Sequence, residues 1–335
     1  MPMKTDLGIL LQPVAQDLEA MGEVLRAELH SDRPAAQDMI DHIGRFRGKQ
    51  LRGALVLLAS RAAGPSRTSA GELAKVAAIV ELIHLATLVH DDVLDGADMR
   101  RRVASVNQRW DNQTAVLLGD FLYARAFHLS TRLESRLASQ VLSATTQRIC
   151  AGEIEQARRR YDFGLSQADY ESIAAAKTAE LYAAACELGA RFPDEGEEPE
   201  PGSPGAELRA FGWEVGLAFQ IIDDVLDVVG TEEEVGKNVG NDVEDGKVTL
   251  PVLHVYAAAD AGTRAAIEAA YAQPGIEDRA AHLRSVCDLG PGVEFARARA
   301  DELLASAMAR LERLPESDAR RDLERVGEFI LARRW

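Results

Sequence analysis

The residues with the clearest chemical potential are two copies of one acidic pentapeptide. Asp91-Asp92-Val93-Leu94-Asp95 recurs letter for letter as Asp223-Asp224-Val225-Leu226-Asp227, each time at the end of a strongly apolar stretch. On a helix, residues i and i+4 share a face, so Asp91 with Asp95, and Asp223 with Asp227, each present two carboxylates in one direction. Such pairs repel one another unless solvent or a hard cation lies between them. Mg²⁺ suits that position, since it takes one or two protein carboxylates together with phosphate oxygens and water. A single copy reads more readily as a solvated helix end; two copies with apolar lead-ins reverse that and point to a magnesium-diphosphate clamp. A calcium EF-hand loop is the competing metal reading, and it fails because Val93 and Arg102 stand where oxygen ligands are required.

Cations follow both clusters. Arg100, Arg101 and Arg102 come after the first, and Lys237 and Lys247 come after the second in a Gly-rich stretch; Gly48-Lys49-Gln50-Leu51-Arg52 adds Lys49 and Arg52 upstream. Arginine grips phosphate oxygens bidentately and lysine acts as a point charge. Together these groups suggest two phosphate-bearing substrates, one held through Mg²⁺ and one held directly by Lys, Arg and His.

The elements that must position these residues are helices. Leu7, Leu11, Val14, Leu18, Met21 and Leu25 step by three and four, the stripe of an amphipathic helix. Ser69-Ala70-Gly71-Glu72 has capping-box form and opens a core helix running to about Asp95. No segment alternates apolar and polar residues, so the fold class is all-α. Pro193 to Gly205 is acidic and rich in Pro and Gly, which predicts a mobile surface loop. The apolar pattern is alike on both sides of it, which favours one large domain over residues 1–335 rather than two domains joined by a linker.

Composition narrows the class further. The chain has 335 residues, 38 Lys+Arg, 54 Asp+Glu and a net charge of −16, which argues against a nucleic-acid partner. Cys150, Cys186 and Cys287 show no Cys-x-x-Cys pairing, as expected of thiols in a reducing, cytoplasmic compartment. No uninterrupted apolar run approaches membrane length and no signal peptide is evident, so neither a transmembrane segment nor export is expected.

Along nearly its whole length the chain resembles the trans-isoprenyl diphosphate synthase (polyprenyl synthetase) family. The resemblance rests on Gly48 to Arg52, where Gln50 and Gly53 depart from the family's usual Arg and Pro. It also rests on His84 to Arg101, Gly119-Asp120, Gly152-Glu153 with Gln156, Lys177-Thr178-Ala179, Phe219 to Asp227, and Gly246 to Pro251. It implies a single helical bundle of the isoprenoid synthase type around a deep central cavity, acting as a homodimer. The implied reaction joins isopentenyl diphosphate to an allylic diphosphate and releases pyrophosphate.

By motif position the resemblance makes Asp91, Asp95 and Asp223 direct ligands in a three-Mg²⁺ site, with Asp92, Asp224 and Asp227 acting through water or hydrogen bonds. Arg100, Lys177, Lys237 and Lys247 would hold the allylic diphosphate. Lys49, Arg52, His84 and Arg101 would hold isopentenyl diphosphate, while Thr178 and Gln220 would line the reacting centre. Side chains before Asp91 would form the floor that limits product length. Ala86 and Thr87 are small and Ile83 is not aromatic, which implies a product of twenty carbons or longer; Leu118, Leu122 and Tyr123 are candidates for a deeper floor.

Three other classes compete. A class I terpene cyclase should replace the second cluster with an Asn-Asp-x-x-Ser/Thr-x-x-x-Glu pattern, and the nearest candidate has Asp245 at the hydroxyl position. A catalytically silent regulatory subunit should lose one acidic cluster, and both are kept. A purely structural bundle predicts no Mg²⁺-dependent diphosphate binding.

Overall fold

The computed structural model describes residues 7–46, 48, 50–65, 67–100, 103–194, 196, 198–230, 240–276 and 278–332. Lys49, Arg101 and Lys237 therefore lie outside the described residues. Those that are described form α1 (Leu7–Leu10), α2 (Ala15–Glu28), α3 (Pro34–Ile43), α4 (Leu51–Ala62), α5 (Ala70–Leu94), α6 (Val106–Arg109), α7 (Asn112–Ser130) and α8 (Leu137–Arg158). Next come α9 (Gln167–Ala174), a π-helical turn (Ala175–Ala179), α10 (Glu180–Arg191), α11 (Pro204–Val229) and α12 (Asn241–Glu244). The chain ends with α13 (Leu250–Ala258), α14 (Ala261–Ala272), α15 (Arg279–Val286), α16 (Gly290–Leu311) and α17 (Asp318–Ala332). The expected all-α class holds. The β-structure among the described residues is one two-residue ladder, β1 (Met99–Arg100) with β2 (Val103–Ala104), antiparallel with Arg100 opposite Val103.

The chain divides into two compact units. The first comprises Met1–Thr146, Leu181–Gly212 and Met308–Phe329, the second Gln147–Glu180, Trp213–Ala307 and Ile330–Trp335. Helices α8, α10, α11, α16 and α17 contribute residues to both.

In the first unit, α5 is the core helix. Ile79, Val80, Leu82, Ile83, Ala86 and Val89 are fully buried on it, which explains an apolar composition that is nearly uniform around the helix. By length and composition α5 could cross a membrane, although 61% of that stretch is buried within the protein. The sequence shows no uninterrupted run there because Glu72, Lys75, Glu81 and His84 break it.

Ser69 caps α5 as expected, its Oγ accepting from Glu72 N at 3.2 Å. The other half of the capping box gives way to one partner on the same helix and one tertiary partner. Glu72 accepts from Lys75 Nζ at 2.5 Å and from Glu134 N at 3.3 Å.

The 193–205 segment, too polar to enter a core, has polar anchors of its own within this unit. Asp194 pairs with Arg67, its carbonyl accepts from Ser135 Oγ at 3.0 Å, and Gly196 O accepts from Arg191 at 2.7 Å. Arg191 and Arg209 both donate to the buried Glu187 carboxylate.

The core of the second unit is built from the C-terminal half of α11 with α9 and α12–α16. Leu217, Ile221, Val225, Leu250, Ile267 and Leu283 pack together there, with Tyr170 and Tyr271 among them. Ser166 and Asp169 form a reciprocal capping box that starts α9.

Candidate active site

The first acidic cluster occupies the last turn of α5 and the residue that ends it. Asp95 N bonds to Asp91 O at 2.8 Å, so the helical turn closes through Asp95 and the two outer carboxylates share a face. Asp91 and Asp95 are partly exposed, and His84, Thr87 and Leu88 continue their stripe one and two turns back. Asp92 points the other way and is fully buried. Its Oδ1 accepts from Arg100 Nε at 2.7 Å and lies 2.6 Å from Arg100 Nη2, while its Oδ2 is buried with no hydrogen-bond partner. Burial pushes the Asp92 carboxyl above its ordinary range, opposed by the hydrogen bond and charge of Arg100.

A tight reversal brings Arg100 to this carboxylate. Ala97 N bonds Asp92 O at 2.9 Å, Ser105 Oγ and Asn107 Nδ2 both donate to Ala97 O, and the β1–β2 ladder returns the chain. Arg100, assigned from sequence to the allylic diphosphate, is thus seated on Asp92.

The Gly119-Asp120 pair has a packing reason. A Cβ on Gly119 would lie 2.1 Å from His90 Nε2, so only glycine lets α7 pass the imidazole next to Asp91. His90 Nε2 reaches Val116 O at 3.1 Å and lies 3.7 Å from Asp120.

The residues assigned to product length separate on α5. Thr87 sits about 40° around the helix from Asp91, whereas Ala86 is about 140° away and Ile83 about 80°. Ala86 and Ile83 are fully buried, and Thr87 Oγ1 donates to His84 O at 2.8 Å. Arg52, on α4, stacks 4.5 Å from the Tyr182 ring centroid, and its Nε is buried with no hydrogen-bond partner.

The second cluster ends α11. Asp223 is partly exposed, while Asp224 and Asp227 are buried. Asp224 is held by neutral donors, Tyr170 Oη at 2.6 Å and Gln220 Nε2 at 2.7 Å. Burial pushes its carboxyl up to about 6 against the pull of these two hydrogen bonds. Burial and the neighbouring Asp224 carry the Tyr170 phenol well above its ordinary value, so it remains a donor. Asp227 Oδ2 accepts from Asp242 N at 3.0 Å and its carbonyl accepts from Gly240 N at 2.9 Å.

Lys177 and Thr178 sit on the π-helical turn, a local widening that recurs at functional sites. Thr178 Oγ1 donates to Gln220 Oε1 at 2.6 Å. Lys177 Nζ lies 2.9 Å from Glu153 and 3.3 Å from Gln156. Gly152 lets α8 approach this turn, since a Cβ there would meet that of Ala176 at 2.6 Å. Lys247 Nζ reaches Asp245 at 3.0 Å and Asp242 at 4.0 Å.

Each described cation assigned to the allylic diphosphate therefore rests on an acidic side chain: Arg100 on Asp92, Lys177 on Glu153, Lys247 on Asp245. Sequence reasoning missed Tyr170 and the Asp242 amide. Each is far along the chain from its carboxylate, and no spacing rule links them.

Each helix end, taken by itself, offers oxygens that fit a hard cation: Asp91 with Asp95 presents two carboxylates on one face of α5, and Asp223 presents a partly exposed carboxylate on α11. Among the described residues no three His, Cys, Asp or Glu form a metal-binding group. Carboxylates of this kind suit Mg²⁺ in so far as that ion usually completes its shell with substrate phosphates and water.

Known proteins show the same arrangement of sequence and fold. Residues 33–287 match the model of the polyprenyl synthetase family, and the chain belongs to that family. It is an enzyme, a prenyltransferase. It is 38% identical over 317 residues to heptaprenyl diphosphate synthase component 2 of Geobacillus stearothermophilus, covering 95% of this chain and 96% of that one. Identity is 35% over 324 residues to the all-trans-nonaprenyl-diphosphate synthase (geranyl-diphosphate specific) of Rhodobacter capsulatus, covering 97% of each chain. The polyprenyl synthase of Caulobacter crescentus CB15, solved in complex with calcium and isoprenyl diphosphate, superposes with a TM-score of 0.89 at 34% identity, covering 98% of both chains.

Proposed function

We propose that this prenyltransferase condenses isopentenyl diphosphate with an allylic diphosphate, head to tail, to give a polyprenyl diphosphate of twenty carbons or more, with Mg²⁺ as cofactor. The observation that carries this reading is the sorting of the duplicated aspartates. Asp91, Asp95 and Asp223 reach solvent, while Asp92, Asp224 and Asp227 are buried on protein donors that fix the helix ends.

Asp91, Asp95 and Asp223 would hold three Mg²⁺ ions, with Asp92, Asp224 and Asp227 as their outer supports. Bound there, the metal supplies neutralisation of the charge that builds on the leaving pyrophosphate. Arg100, Lys177, Lys237 and Lys247 act on the same charge, and the acidic side chains beneath the first, second and fourth hold their cationic ends in place before substrate arrives. Lys49, Arg52, His84 and Arg101 anchor isopentenyl diphosphate; the buried Arg52 Nε without a partner supports this assignment. Anchoring both substrates makes attack by the isopentenyl double bond effectively unimolecular, and the new bond is followed by loss of a proton. Thr178 and Gln220 present polar oxygens to the allylic cation, while apolar residues keep water away.

Thr87 forms the upper floor, with Ala86 and Ile83 buried behind it; relatives named heptaprenyl, octaprenyl and nonaprenyl synthases support a long product. We further propose a cytoplasmic homodimer. Its support is an apolar face of α7, where Leu117 is 59% exposed beside Val116 at 41%.

The test is incubation of the purified chain with labelled isopentenyl diphosphate and C5, C10, C15 or C20 allylic diphosphates, with and without Mg²⁺. The expected result is an Mg²⁺-dependent ladder ending at one length. No elongation with any primer would overturn the reading for the chain acting alone, and would point to a required second component.

A further inference from the structure

The second unit contains a hydrogen-bonded relay whose direction is set by chemistry. An ionised Asp224 can only accept, so Gln220 must turn its NH₂ group toward Asp224 Oδ1, 2.7 Å away. The amide carbonyl of Gln220 then faces Thr178, whose hydroxyl must donate across 2.6 Å. At the other end Tyr170 Oη donates to Asp224 Oδ2 at 2.6 Å. With its single proton committed to Gln220, Thr178 has only lone pairs left to present elsewhere.

We propose that Tyr170 is a positioning residue for the prenyl transfer step: by anchoring Asp224 it holds in place the carboxylate that sets the polarity of the Asp224–Gln220–Thr178 relay, and so keeps the Thr178 oxygen turned, lone pairs outward, toward the allylic cation. The inference rests on the reading that Thr178 and Gln220 line the reacting centre. Tyr170 sits on α9, is 6% exposed and packs in the core of its unit, so its hydroxyl acts at second hand. Lone pairs attract a developing carbocation, whereas an outward hydroxyl proton would oppose it.

Two features show that the anchor is built rather than incidental. Asp224 Oδ2 lies in the core, where a carboxylate oxygen left without a donor is costly, and Tyr170 fills that need. Moreover, Tyr170 and Thr178 belong to one continuous stretch, α9 followed by the π-helical turn, so both ends of the relay are presented to α11 by the same segment. The π-helical turn offsets Thr178 from ordinary α-helical register relative to Tyr170, and in that register each hydroxyl meets its own partner on α11. Without the phenol hydroxyl the Asp224 carboxylate loses one of two anchors, and the Gln220 amide and Thr178 hydroxyl that follow it are held less closely in place.

The experiment is a double-mutant cycle on the full chain with Mg²⁺ and both diphosphates, reading kcat and KM separately and the share of prenyl alcohol formed by water capture. Tyr170→Phe, which removes one oxygen, should lower kcat on the order of ten- to a hundredfold, the equivalent of one hydrogen bond to a charged group, and raise the alcohol share. Both KM values should stay within about twofold, because uniform binding is untouched. In a Thr178→Val background, adding Tyr170→Phe should change kcat by less than about twofold, since the relay then has no hydroxyl to direct. Equal losses in both backgrounds would overturn the proposal, as would a normal kcat in Tyr170→Phe. Should Tyr170→Phe fail to fold, Asp224→Asn gives the same comparison against Thr178→Val, because its amide is able to donate to Gln220 and reverse the relay. A normal kcat in Thr178→Val alone would instead sink the reading that Thr178 lines the reacting centre, and the relay with it.

Discussion

The two acidic pentapeptides are identical in sequence and differ in what stands behind them. In the first, the buried middle aspartate is balanced by a cation, Arg100, delivered by a four-residue ladder that closes just downstream. In the second, the equivalent Asp224 is held by two neutral donors, Tyr170 and Gln220, and Asp227 is fastened to a backbone amide. The buried middle aspartate of the first cluster thus has its own counter-charge, while Asp224, its counterpart in the second, is held in a low-dielectric setting by neutral hydrogen-bond donors. Identical carboxylates on unlike supports are therefore expected to respond differently to the same substitution.

The largest effects should appear where the ends are alike. Asp91→Ala and Asp223→Ala should each lower condensation on the order of 10²–10³-fold in kcat, the loss typical of removing one preorganised electrostatic stabiliser. Steady-state rates at saturating Mg²⁺ measure this, and a near-normal rate in either folded variant would break the symmetry of the outer carboxylates.

The next substitution separates the two ends. Asp92→Asn strips Arg100 of its counter-charge and should cost about 3 kcal/mol, the low end for a broken buried pair because the Arg100 side chain is 25% exposed. Asp224→Asn disturbs hydrogen bonds to neutral donors only and should cost about 1–2 kcal/mol. Urea unfolding of both variants tests the difference, and equal costs would mean that the cation at the first end contributes nothing beyond a neutral donor.

Acidity sharpens the same contrast. Asp224 binds its proton more tightly folded, at about 6, than unfolded, near 3.8, so its contribution to stability improves as pH falls through about 6 toward 3.8. The stability of the native chain relative to Asp224→Asn should therefore rise between pH 7 and pH 4. A flat difference across that window would show that Asp224 is not held in a desolvated site. The smallest effect belongs to the support of the second end alone. Ser166→Ala removes the cap of α9, which carries Tyr170, and should cost about 1 kcal/mol while leaving Asp92 and Arg100 unaffected.

Helical spacing was enough to put Asp91 and Asp95 on one partly exposed face, because carboxylates at i and i+4 on a helix point the same way; in the second cluster it did not foresee that Asp227 would be buried on the Asp242 amide while Asp223 stayed partly exposed. The core helix, its Ser69 cap and the all-α class followed from local pattern. Other features were not legible. The ion pair of Arg100 with Asp92 is one of them, since it forms only where the ladder folds the chain back on the end of α5. Ala86 and Thr87 are adjacent in sequence, but one helical step puts Ala86 wholly in the core and Thr87 on the stripe with Asp91. The second half of the Ser69–Glu72 capping box was lost to Lys75 and Glu134, the latter contact coming from 62 residues away.

By itself the sequence determined the helices, their apolar faces and the chemistry available at two of their ends, because these depend on neighbours within a turn or two. The tertiary structure decided which aspartates face solvent and which are buried on protein donors. Tyr170 meets Asp224 across 54 residues, and Thr178 meets Gln220 across 42. Contacts at such separations follow from how cores pack, and a buried carboxylate accepts whatever donor that packing brings within reach.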